Sequence, residues 1–157
     1  MTLDQLAAAF LDRTLPRNQW SHVAHLSVGA WHVHGFGADE AIARLRTGIR
    51  ALNDRHGTAN TPTGGYHETI TIAYVRIIEQ FLARFEPEIP LAQRVSCLTA
   101  GPVSEKAFLL RFWSRDLLMS PAARATWVAP DLAPLVLPPD AIPGAPADAA
   151  IATPGST

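Results

Sequence analysis

The chain has 157 residues, 48% of them hydrophobic and 17% charged, and a net charge of −1. That length supports one domain around one sizeable core, and that composition excludes a disordered chain. Thirteen basic residues balance 14 acidic ones with no basic run, the lone Cys97 excludes an internal disulfide, and no apolar run reaches the ~18 residues of a membrane span, so neither nucleic acid nor membrane is an expected partner.

A first helix is expected over about residues 3–14, with Thr2 as N-cap, Asp4 in the first turn, and Pro16 ending it. Asp4 and Asp12 flank its apolar run with no basic start, which is not a signal-peptide pattern, so a cytoplasmic protein is expected. A second helix is expected over about 22–34, capped by Ser21 and stopped by Gly35 and Gly37. Leu26, Ala30 and Val33 form one apolar stripe on it, and Val28 and Trp31 form another, so it should be packed on two faces and central. A third helix over about 39–55 carries Ile42, Leu45, Ile49 and Leu52 at helical spacing, with Gly57 after it. The segment 58–65 is a turn region by composition.

A fourth helix over about 66–86 turns Tyr74, Ile78, Phe81 and Phe85 inward and ends at Pro87. A short fifth should run over about 91–99, behind Pro90. Ser104 opens a helix through Phe112, and Ser120-Pro121 opens a last turn ending near Trp127. Residues 130–157 hold seven of the 13 prolines. A helical domain over 1–140 and a disordered tail over 141–157 follow from that shift. With no hairpin signal, the fold class is all-α: a single-domain bundle of about five to seven helices with an irregular Pro/Ala-rich C-terminal tail. His32 and His34 are expected on a helix surface, His56 at a helix C-terminus, and Cys97 as a small buried residue.

Two clusters carry ionisable groups: Trp20-Ser21-His22-Val23-Ala24-His25 and Gly64-Gly65-Tyr66-His67-Glu68-Thr69. Helices joined by short connections are antiparallel neighbours, so two reversals make the second and fourth helices parallel. Their N-termini then share one end of the bundle with the C-terminus of the third helix. Helical phase turns His22 and His67 inward and leaves His25 and Glu68 as flanking groups. His25 sits beside Gly29, whose missing side chain leaves room for the imidazole.

A helix N-terminus disfavours imidazolium, and neutral imidazole is the form that binds a metal or accepts a proton. His22, His25 and His67 are therefore candidate ligands of a divalent ion (Zn, Fe, Mn, Ni or Cu), with Glu68 as fourth ligand or general base. Arg50, Asn53, Tyr66 and Thr71 are the candidates to contact a substrate. The expected function is a small metal-dependent enzyme acting on a small molecule through a His-rich site at one end of the bundle.

Two alternatives fit the same residues. One is a metal-free anion or small-molecule binding module built from two helix N-termini, the Gly-rich loop and Arg50. The other is a structural or interaction protein whose Phe108, Phe112, Trp113 and Trp127 would bury a homodimer face.

The pairing of Trp-Ser-His-x-x-His-Leu at 20–26 with Gly-Tyr-His-Glu-Thr-x-Thr at 65–71 resembles an uncharacterised family of small bacterial helical proteins, over about residues 15–135. That resemblance implies no activity. The arrangement is also loosely similar to the DinB-like bundles, which bind a metal through three histidines on separate helices. This chain departs from them in having no His-x-x-x-His and no His after position 67.

Overall fold

Polar side chains open most of the helices. In the computed structural model, which describes residues 1–144, Thr2 and Gln5 form a reciprocal capping box on α1 (Leu3–Leu11). Ser21 accepts from the Ala24 N–H at the start of α2 (His22–Phe36). A single residue, Gly37 with φ 80°, links α2 to α3 (Ala38–His56). The chain leaves α3 through Gly57 in the left-handed conformation, φ 73°, as a glycine C-cap allows. His67 caps α4 (Glu68–Leu82), Pro90 precedes α5 (Leu91–Ala100), and Ser114 and Ser120 cap α6 (Arg115–Leu118) and α7 (Pro121–Ala125).

These seven helices form the all-α bundle that the sequence predicts, with no strand among the described residues. As expected, α2 is the central element: Leu26, Val28, Ala30 and Val33 are buried on its two sides, and it packs on α1, α3, α4 and α5. It meets α4 closely at Gly29, where a β-carbon would stand 3.1 Å from Ile78 Cδ1. A side chain there would force Ile78 Cδ1 to give by a few tenths of an ångström.

Beyond α5 the chain wraps back over the bundle. The segment after α7 is strapped along α4 by polar side chains. Thr69 Oγ1 donates to the Thr126 carbonyl and accepts from the Val128 N–H. Gln80 donates to the Leu135 carbonyl and accepts from the Leu137 N–H. Trp113 donates to the Val128 carbonyl. Irregular backbone can lie against the core because these side chains satisfy its polar groups.

Several local expectations change. Residues 104–112 hold no continuous helix; short 3-10 turns at Pro102–Ser104 and Phe108–Arg111 replace it. The helix α6 carries no sequence signal beyond its Ser114 cap. His32 is fully buried, its Nδ1–H donating to the Val28 carbonyl, because its neighbours Phe10, Trp31 and Phe36 enclose it. Cys97 is exposed, on the outer side of α5. Of the expected tail, Ala141 is buried and Ile142 packs on the core; residues 145–157 lie outside the described residues. Phe108, Phe112 and Trp113 belong to the core and offer no dimer face; of that set only Trp127 is exposed.

Trp113→Ala should therefore cost about 3–5 kcal/mol of folding stability in chemical denaturation, without any dependence on protein concentration. A midpoint that rises with protein concentration in the parent and not in Trp113→Ala would put Trp113 at an interface instead.

Candidate functional site

The two histidine clusters line one cavity of about 670 Å³. It lies where the start of α2, the end of α3 and the start of α4 come together, as the two helix reversals predict. His22 and His25 contribute one wall, Asn53 and His56 a second, and Tyr66, His67 and Thr71 a third. Leu26, Leu45, Ile49, Ile70, Val75 and Ile78 make it largely apolar.

His67 is the N-cap of α4. Its Nδ1 accepts from the Ile70 N–H at 3.1 Å, and its Nε2–H donates to the Leu118 carbonyl at 2.7 Å. Those two bonds fix one neutral tautomer, because Nδ1 must keep its lone pair. Burial, together with the Arg124 charge, lowers the pKa of His67 below its usual 6.5. A histidine with both nitrogens held by backbone has no lone pair for an ion. Helical phase predicts that His67 points inward, and it does; its capping role is not visible because histidine is not a favoured N-cap.

His22 faces Tyr74, with ring centroids 5.5 Å apart and edge to face. Its Nε2 is buried and has no hydrogen-bond partner. Burial first, and the Lys106 charge second, lower its pKa, so it is neutral near pH 7. His25 stacks on Trp20 with centroids 3.7 Å apart, and its Nδ1–H donates to the Ser21 carbonyl. Its Nε2 keeps the lone pair, and the residue is exposed at the rim of the cavity. Tyr74 is a neutral phenol whose pKa burial pushes up to about 12.

Glu68 stands apart from the cavity wall. Its carboxylate takes the Arg46 Nε at 3.0 and 2.9 Å and the Tyr66 hydroxyl at 2.8 Å. Charge-assisted bonds of this kind occupy the oxygens that a general base would need. Tyr66, its pKa raised to about 12 mainly by burial, is held as donor to Glu68 while its ring borders the cavity. Arg50 stacks over the Tyr66 ring at 4.8 Å and does not reach the cavity. Asn53 lines the cavity while its amide donates to Asn60. Thr71 also lines it, its hydroxyl donating to the His67 carbonyl.

Other wall residues carry no motif. Arg124 enters from α7, its Nη1 donating to the Gly65 carbonyl at 2.8 Å. Arg17 comes from the 3-10 turn after α1, and Trp20 from the residue after that turn. His56 donates to the Leu15 carbonyl, joining the end of α3 to the same turn region. Trp20 has a signal in the first cluster, and His56 has one in its place at the C-terminus of the third helix; Arg17 and Arg124 have none.

Among the described residues, no three His, Cys, Asp or Glu side chains come together as a metal-binding group. His22, His25 and His67 share a cavity without aiming three lone pairs at one point. No helix among these residues is long and apolar enough to cross a membrane. No family model matches the chain, and no curated protein or solved structure compared with it does either.

Removing the His67 ring should lower stability by about 1.5–3 kcal/mol, from a lost cap and a lost buried hydrogen bond. His67→Asn, which restores the cap acceptor, should recover part of it. The folded state resists protonating His67, and the unfolded chain does not. Its contribution is therefore present in full above pH 6.5, the unfolded value, and is lost as pH falls from there towards the folded value. Urea midpoints measured from pH 8 to pH 5 should fall less steeply in His67→Asn than in the parent; equal slopes would contradict the assignment.

Proposed function

We propose that this chain is a metal-free binding module for a small molecule, taken up in the cavity between the two clusters. The observation that carries this reading is the commitment of His67. Its nitrogens close one end of a cavity of about 670 Å³ and leave nothing there for an ion. Small-molecule sites span roughly 300–1,000 Å³, with apolar walls and a few placed polar groups. This cavity has that composition, and His22 Nε2 is a buried polar atom to which the protein offers no partner.

The metal-dependent enzyme expected from sequence needs an imidazole set with free lone pairs and an available carboxylate. His67 and Glu68 do not fit that need as they are bonded here.

Thermal-shift measurements with small apolar molecules test the reading. Binding should survive EDTA, and protein prepared without a His tag should hold far less than one metal ion per chain. Ile70→Trp, which sets an indole in the cavity, should weaken the shift while the variant stays folded by circular dichroism. Stoichiometric metal that disappears in His67→Ala would restore the metal-dependent enzyme and remove this proposal.

A further inference from the structure

We infer that the occupant of this cavity is a carboxylic acid with an apolar body, its carboxylate held by Arg124 with Arg17 contributing from the rim. This rests on the binding-module reading above and narrows it to a ligand class. No Asp or Glu lines the cavity, while two arginines do. Elsewhere in the fold Arg44, Arg46, Arg76 and Arg111 each pair with a carboxylate at 2.9 Å. Neither Arg17 nor Arg124 forms an ion pair among the described residues. The cavity therefore carries uncompensated positive charge.

Arg124 is also oriented. Its Nη1 is pinned to the carbonyls of Gly65 and Tyr66, at 2.8 and 3.4 Å. Its Nε is buried without a partner. Nη2 makes no hydrogen bond among the described residues and is not among the buried atoms, so it is the guanidinium nitrogen left for a carboxylate. Holding a guanidinium by one nitrogen preorganises another for an anion. The same charge helps keep His67 neutral, so that imidazole adds no second cation beside it.

The remaining wall excludes other anions. Leu26, Leu45, Ile49, Ile70, Val75 and Ile78 present aliphatic surface, which rewards an apolar body at about 25 cal/mol per Å² covered. A phosphate needs more donors than one guanidinium edge and would leave this surface wet. A carboxylate is met by Arg124 Nη2 with Arg17 at the rim.

Titration calorimetry with the full chain tests this, using decanoate, decanol, decylamine and inorganic phosphate as probes. Decanoate should bind at least about tenfold more tightly than decanol, as expected for one charge-assisted contact. Decylamine and inorganic phosphate should be weaker still. Added salt should weaken decanoate and leave decanol unchanged. Arg124→Gln should remove the preference for the acid and keep decanol within about twofold. Because Arg124 also ties the Gly65 loop, Arg17→Gln is the companion variant: Arg17 is exposed, and its loss should reduce decanoate binding a few-fold and flatten its salt dependence.

Equal binding of acid and alcohol, both weakened by Ile70→Trp, would overturn the carboxylate assignment while leaving the binding module intact. Phosphate binding more tightly than decanoate would overturn it as well. If none of the apolar probes binds, charged or neutral, the binding module falls together with its ligand class.

Discussion

Two backbone hydrogen bonds on one imidazole hold this site together. His67 Nδ1 caps α4, and His67 Nε2 reaches the carbonyl of Leu118, 51 residues further on. The first bond starts the helix that carries Thr71, Tyr74, Val75 and Ile78 into the cavity. The second docks the end of α6 against that start, so the short helices after α5 are pulled beside it and Arg124 of α7 reaches the Gly65 loop. A buried histidine bonded in this way is neutral for a structural reason. A proton on Nδ1 would face the Ile70 N–H and break the cap.

That constraint changes what the surrounding groups can do. Glu68, the next residue, is turned to Arg46 and Tyr66 and spends its carboxylate on holding the first turn of α4 to α3. Its side chain is 12% exposed and that of Arg46 39%, so solvent screens the pair from one side only. What remains in the cavity is a set of neutral rings, His22, His25, Tyr66 and Tyr74, with two arginines and aliphatic walls. Neutral rings beside unpaired cations make a surface that accepts an anion and repels a second cation.

Much of the scaffold was legible in the chain. Periodicity places α2, α3 and α4, and apolar residues on two sides of α2 identify it as central. Two short connections bring both clusters to one end, which needs only topology. Individual side-chain roles were harder to read. A helical wheel turns His67 inward but cannot distinguish an imidazole bonded to backbone from one free to ligate. His32 looks like a surface residue by type, yet Phe10, Trp31 and Phe36 bury it through contacts no local pattern encodes. Arg124 was invisible because its partner, the Gly65 carbonyl, is brought to it only by the docking of the late helices. The dimer expectation drew on Phe108, Phe112 and Trp113 as surface aromatics, whereas the wrap of the chain over α4 makes them core.

His67 is a neutral, doubly bonded structural imidazole at the end of the cavity. Long-range proton–nitrogen NMR of the histidine rings measures this directly. One His67 tautomer, protonated at Nε2, is expected at pH 7, with ring nitrogen shifts unchanged by added zinc. A His67 signal that averages both tautomers, or whose Nε2 shift moves on zinc addition, would contradict it.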